Sequence, residues 1–202
     1  MGLREEKKAE LRRQLFTTAM ALFREQGFED TRVQDIVERV RVSEATFFNY
    51  FPTKEAVLQE AASETKDLYT VFLHHLLSRR DEPVADRLQE LVGTIGATFA
   101  ADQEFMSAVA TQTSLFYGST GDAAVKDHEN FDLLAALFRQ GQDSGEVRNE
   151  LDALQLAEML TAVYMLTITN WLTAWWGERG DLEKRLTSVV DAFFEGCRNR
   201  DG

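Results

Sequence analysis

The residues whose types and spacing carry the clearest chemistry lie between Val33 and Phe51, where two short periodic segments meet at a turn. Val33, Ile36, Val37 and Val40 recur at i, i+3, i+4 and i+7, which is one face of a short helix. Ser43 can cap the segment that follows, in which Phe47 and Phe51 share the face able to seal against Val33, Ile36, Val37 and Val40. Glu44, Ala45, Phe48 and Asn49 point elsewhere. That outward set combines a small residue permitting close approach, a ring able to meet a thymine methyl or a sugar, and polar groups able to bond phosphate. Two helices joined by a turn too brief for antiparallel packing is helix-turn-helix grammar, in which the second helix offers its N-terminal residues to base edges. Lys54 adds a cation at the start of the next helix, whose unpaired N–H groups attract anions. The same trihelical pattern also fits an ordinary bundle corner, and these residues alone leave both readings open.

Other chemistry finds less support. His74 and His75 project about 100° apart on a helix and cannot easily share a metal. His128 with Glu129 and Asp132 makes a pattern that acidic helical surfaces produce by chance, so no metal and no cofactor is expected. There is no G-x-S-x-G, no phosphate-cradling glycine loop and no catalytic context for the single cysteine, Cys197, which also has no partner for an internal disulfide. No catalytic residue is assigned and the chain is not expected to be an enzyme. The aromatics beyond residue 98 exceed what many helical bundles need for packing. A minority of Phe99, Phe105, Phe116, Phe131, Phe138, Tyr164 and Trp171 lining a cavity would suit a bulky apolar ligand, oriented by Gln112, Tyr164 or Asn170.

The elements that must position these groups are all helical, since no segment alternates with the period of a strand. Helices are expected near Glu5 to Gln26 (stopped by Gly27), from a cap at Asp30 or Thr31 to Val40, and from Ser43 to Pro52. Further helices are expected near Thr53 to Arg80, Val84 to Ala101, Gln103 to Tyr117, Ala123 to Gln142, Ala153 to Trp176 and Leu182 to Arg198. This predicts an all-α chain with a helix-turn-helix head over residues 1–53 and a helical ligand-binding and dimerisation body over 54–202. Charge divides the same way. The chain carries a net charge of -12, yet residues 1–54 hold ten Lys/Arg against nine Asp/Glu, leaving 12 against 25 beyond them. An acidic protein repels polyphosphate, but a head at +1 on a body at -13 can still seek it. The charged N-terminus has no apolar signal region. Met159 to Trp176 is 18 residues without a charge, but its threonines, Asn170 and acidic flanks argue against a membrane span. A cytoplasmic protein with no membrane partner is expected.

The runs Phe23-Arg24-Glu25-Gln26-Gly27-Phe28-Glu29-Asp30-Thr31-Arg32-Val33-Gln34-Asp35-Ile36-Val37 and Val42-Ser43-Glu44-Ala45-Thr46-Phe47-Phe48-Asn49-Tyr50-Phe51-Pro52-Thr53-Lys54-Glu55 closely resemble the DNA-binding head of TetR/AcrR-family transcriptional regulators. The resemblance implies that Thr31 and Arg32 meet phosphate or a base edge at the start of the second helix. Ser43, Asn49, Tyr50 and Lys54 would grip phosphate, and Glu44, Ala45, Thr46 and Phe48 would read bases. Two positions depart from the family's habit: Phe48 is commonly Tyr, and Arg41 commonly Gly. The last two helices would be the dimer surface, the second offering Leu182, Leu186, Val189, Val190, Phe193 and Phe194, so that symmetry mates form a four-helix bundle. The implied partners are a double-stranded operator, a second copy of the chain and a small apolar or cationic effector. The implied function is a ligand-responsive repressor binding a palindromic operator as a homodimer. The competing reading is a helical small-molecule-binding or scavenging protein that has lost specific DNA recognition.

Overall fold

In the computed structural model, which describes residues 2–112, 122–174, 177 and 180–197, the helical periodicity becomes nine helices among those residues. They are α1 (Leu3–Gln26), α2 (Val33–Val40), α3 (Glu44–Phe48), α4 (Glu55–Ser78), α5 (Val84–Ala101), α6 (Gln103–Gln112), α7 (Asp122–Asp143), α8 (Ala153–Thr173) and α9 (Leu182–Cys197). No strand occurs among the described residues. The helices fall into two compact units. The first holds the chain up to Ser63 together with the segment that begins at Asp102 and carries α6; the second runs from Glu64 to Ala101 and resumes with α7. The division expected after residue 53 therefore falls inside α4, and α6 packs with the head.

The first unit is built on the apolar face of α1, where Leu15, Ala19, Leu22 and Phe23 are buried with Ile36 and Val37 of α2, Phe47 of α3 and Phe51. α1 ends where Gly27 takes φ 87°, a conformation open to glycine at little cost, and its N–H closes on the Phe23 carbonyl. Phe28 then folds back edge-on to Phe23, ring centroids 5.0 Å apart. Neither Asp30 nor Thr31 caps α2. The cap is Arg32, whose backbone N–H donates to Asp35 Oδ2 at 2.8 Å in a capping box. α6 is held to this unit by Arg24, which pairs with Asp102 at 2.8 Å and lays its guanidinium over the Phe105 ring at 4.5 Å.

In the second unit α9 packs on α5 and α8, and α7 packs on α8. The α5–α9 crossing is close because Gly96 has no side chain: a Cβ there would lie 3.1 Å from the Glu183 backbone. The C-terminal end of α4 is fixed by a buried cation. Arg87 Nη1 donates to the Leu76 carbonyl at 3.1 Å and to Gln140 Oε1 at 2.6 Å, while Gln140 Nε2 donates to the Leu77 carbonyl at 3.1 Å. These bonds satisfy carbonyls that a helix end leaves open. Glu146 does the converse at the start of α5, accepting from the Val84 and Ala85 N–H groups at 2.7 and 2.8 Å.

Candidate nucleic-acid interface

α3 is seated by one side and offers the other. Ser43 caps it, its Oγ accepting from the Thr46 N–H at 3.2 Å and lying 2.9 Å from Thr46 Oγ1. Phe47 is fully buried, stacked at a tilt on Phe51 with centroids 5.7 Å apart. With that face spent, Glu44, Ala45, Phe48 and Asn49 are exposed together, and Thr46 and Tyr50 are half-buried beside them. Phe48 keeps 47% of its surface in solvent, braced edge-on against Phe47 at 5.5 Å. An exposed ring costs about 25 cal/mol for each Å² left in water, so a ring held outward and rigid is suited to contact with another surface. Arg41, at φ 64°, ψ 48°, closes the turn between α2 and α3 in the left-handed region. Arg32 is exposed at the α2 N-terminus, its guanidinium 3.2 Å from Asp35.

Two expected DNA contacts are occupied otherwise. Thr31 is buried, and its hydroxyl donates to the Gly27 carbonyl at 2.7 Å, so it ties the α1–α2 loop together and presents nothing outward. Lys54 turns back onto that loop. Its ammonium donates to the Phe28 and Thr31 carbonyls at 2.6 and 2.9 Å and sits 4.2 Å from the centre of the Phe28 ring. A charge so engaged positions the loop before α2, and its donors are spent on protein oxygens.

The expected ligand-lining residues that are described divide between the two units. Phe105 belongs to the first unit beneath Arg24, and Gln112 of the same unit is exposed and donates to Glu29 at 3.3 Å. Phe138 is fully buried between α7 and α9, packed on Phe193 and Phe194 with centroids 5.8 and 6.3 Å away. Phe99 is buried and Phe131 half-buried in the second unit. Phe116 lies outside the described residues. The polar groups of α4, α7 and α8 do converge: Tyr69 and Tyr164 hydroxyls meet at 3.2 Å, Thr70 donates to Asn130 at 2.7 Å, and buried Lys66 pairs with Asp127 at 2.7 Å. Desolvation, reinforced by the Tyr164 hydroxyl, holds the Tyr69 phenol well above its ordinary pKa. Trp171 is buried and donates to the Gly180 carbonyl at 3.0 Å. Asn170 is buried with its Oδ1 unpaired among the described residues.

The stripe expected to join two copies is mostly consumed within one chain. Leu182, Leu186, Val190 and Phe194 of α9 are buried against the chain's own helices, while Val189 and Phe193 are half-buried. What α8 leaves open is a different set: Met159, Val163 and Leu166, at i, i+4 and i+7, are 52%, 45% and 46% exposed. The sequence shows Met159 to Trp176 as a run without a charge but does not separate this face from the buried one. The separating signal is the shared stripe, distinct from Leu156, Leu160, Tyr164 and Ile168, which are buried.

An all-α chain whose short capped third helix stands out from a three-helix head has the architecture of a helix-turn-helix DNA-binding protein. Residues 15–61 match the model of bacterial regulatory proteins of the tetR family. Over 56 residues, 28% of this chain and 25% of the relative, it is 46% identical to the transcriptional regulator TcmR of Streptomyces glaucescens. It is 22% identical to the fatty acid metabolism regulator protein of Bacillus subtilis across 93% of this chain and 95% of that one. The crystal structure of Thermus thermophilus FadR, a TetR-family transcriptional repressor in complex with lauroyl-CoA, aligns with a TM-score of 0.71 at 24% identity, covering 95% of this chain and 97% of that one. The head, over residues 15–61, is thus similar to the DNA-binding segment of bacterial regulatory proteins of the tetR family.

Proposed function

We propose that the chain is a homodimeric, ligand-responsive repressor that holds a palindromic operator through two copies of α3 and releases it on binding a small, largely apolar effector in the second unit. It would act in the cytoplasm, beside its operator. The observation that carries this reading is the exposed face of α3, where Glu44, Ala45, Phe48 and Asn49 stand out on a helix fixed by Ser43 and Phe47. The Met159, Val163 and Leu166 face of α8 supports the dimer, because a monomer would leave this contiguous apolar strip in water. The Thermus repressor's complex with lauroyl-CoA supports an effector with an acyl chain. The -13 balance beyond residue 54 favours grip on the chain of such a molecule over grip on its phosphates.

Selection of duplex fragments from a random pool tests the reading directly. A palindromic consensus whose half-sites are about one helical turn apart is the expected result. Weak, salt-sensitive binding without a consensus would overturn it and favour a scavenging protein.

A further inference from the structure

The turn between α4 and α5 and the end of α7 enclose a cleft of about 530 Å³ that lies wholly within the second unit. That volume is in the range of small-molecule sites. Among the described residues, none of the aromatics expected to face an apolar effector borders it. Its lining is polar, and most of that polarity is spent on the fold. Gln140 serves Arg87 and the Leu77 carbonyl, Glu146 serves the first N–H groups of α5, and Glu82 pairs with Arg79.

What is left over carries both signs. Arg87 borders the cleft although it is only 2% exposed, and both of its hydrogen bonds leave from Nη1. Its Nε is buried without a partner among the described residues. The guanidinium edge that bears Nε and Nη2 is therefore unspent, and such an edge can grip a carboxylate with two parallel bonds. A buried donor with nothing to serve is costly, and an acceptor that reaches it recovers the cost. Burial pulls the Arg87 pKa below its ordinary value, with Glu146 and Glu82 opposing. Arg80 is exposed on the rim and, unlike Arg79 beside it, makes no ion pair among the described residues. Asp81, next along the rim, is exposed as well. The signs decide between ligands. Arg80 and Arg87 stand against Asp81, Glu82 and Glu146, so the lining has one carboxylate in excess. A plain anion meets net repulsion there, whereas a molecule carrying both charges does not.

We infer that this cleft binds a small zwitterion of the amino-acid type, its carboxylate held by Arg87 and Arg80 and its ammonium by Asp81. The ligand differs in chemistry from the apolar effector proposed above, and its binding requires neither that effector nor DNA. Occupancy bears on α4, because the same Arg87 guanidinium holds the Leu76 carbonyl at the end of that helix.

The test uses the full chain with L-alanine as probe, beside propionate, which lacks the ammonium, and ethylamine, which lacks the carboxylate. The assigned Arg87 Nε–H resonance should move saturably as L-alanine is added at constant ionic strength. Propionate and ethylamine should each bind about tenfold more weakly, the cost of one missing charged hydrogen-bond partner. Arg80→Gln removes a rim cation that the fold does not use, so it should keep the native melting temperature and weaken L-alanine about tenfold. Asp81→Asn should bring L-alanine and propionate to nearly equal affinity. A resonance that drifts without saturating under all three compounds would overturn the inference. So would propionate binding as tightly as L-alanine to the native chain, or an undiminished preference for L-alanine in Asp81→Asn. No DNA enters the measurement, so its result stands apart from that of operator selection.

Discussion

Arg41 holds φ 64° at the turn before α3, a region that costs a residue with a Cβ about 1 kcal/mol or more. Arg41→Gly should therefore raise stability by roughly 1 kcal/mol, read as a higher urea midpoint at unchanged slope; an unchanged or lower midpoint would show that Arg41 relieves its own strain. Lys54 leads to the opposite expectation. Its ammonium serves carbonyls of the α1–α2 loop, so Lys54→Met should cost about 2 kcal/mol of stability. The salt slope of operator binding should fall by less than the roughly 0.9 unit of a phosphate grip, and a full unit lost at native stability would restore that role to it. Asp35 adds a dependence on pH. Its carboxyl is held below the ordinary 3.8 first by the Arg32 N–H and then by the Arg32 side chain. The stability it lends is complete above the ordinary value and is lost as pH falls through the lowered one. Asp35→Asn should flatten that part of the acid unfolding curve, and identical curves for the two proteins would remove the capping box as the cause. Ser43 was legible as a cap because a hydroxyl before a periodic run has one common use. Thr31 and Lys54 were not, because their direction depends on how the chain turns from Gly27 to Thr31, whose carbonyls both side chains meet.

At the scale of elements, hydrophobic period revealed which face of a helix is buried but not what buries it. That is why all the helices could be located from sequence while the α9 stripe was assigned to a partner: Leu186 and Val190 are fully buried inside one chain. It is also why Phe138 read as a pocket candidate, when it packs on Phe193 and Phe194. The close approach of α5 and α9 depends on Gly96, a glycine that no turn required and whose use the sequence did not reveal. These positions separate folding from assembly. Met159→Glu or Leu166→Glu should yield a folded monomer in sedimentation at micromolar concentration. Phe193→Glu, which places a charge against Phe138, should instead lower stability by about 3 kcal/mol. A native-like dimer from either α8 variant would remove that face from the interface.

Across the whole molecule α4 is the element that both units share, since Glu55–Ser63 belong to one and Glu64–Ser78 to the other. Lys54 ties the residue before its start to the loop preceding α2, and Arg87 with Gln140 holds its last carbonyls. A dimer reads two half-sites only while its recognition helices keep their spacing, so an effector that biases α4 must change operator affinity. By linkage the operator must weaken effector binding by the same factor. The probe is lauroyl-CoA, with lauric acid as the version lacking phosphates. Saturating either should change the emission of Trp171, which is buried at the end of α8, and weaken operator binding at least tenfold, equivalent to about 1.4 kcal/mol of coupling. Added operator should raise the probe's apparent dissociation constant by that same tenfold. A probe that saturates the protein while operator affinity stays constant would sink the switch, whatever the fluorescence does, because a ligand with equal affinity for both states shifts neither.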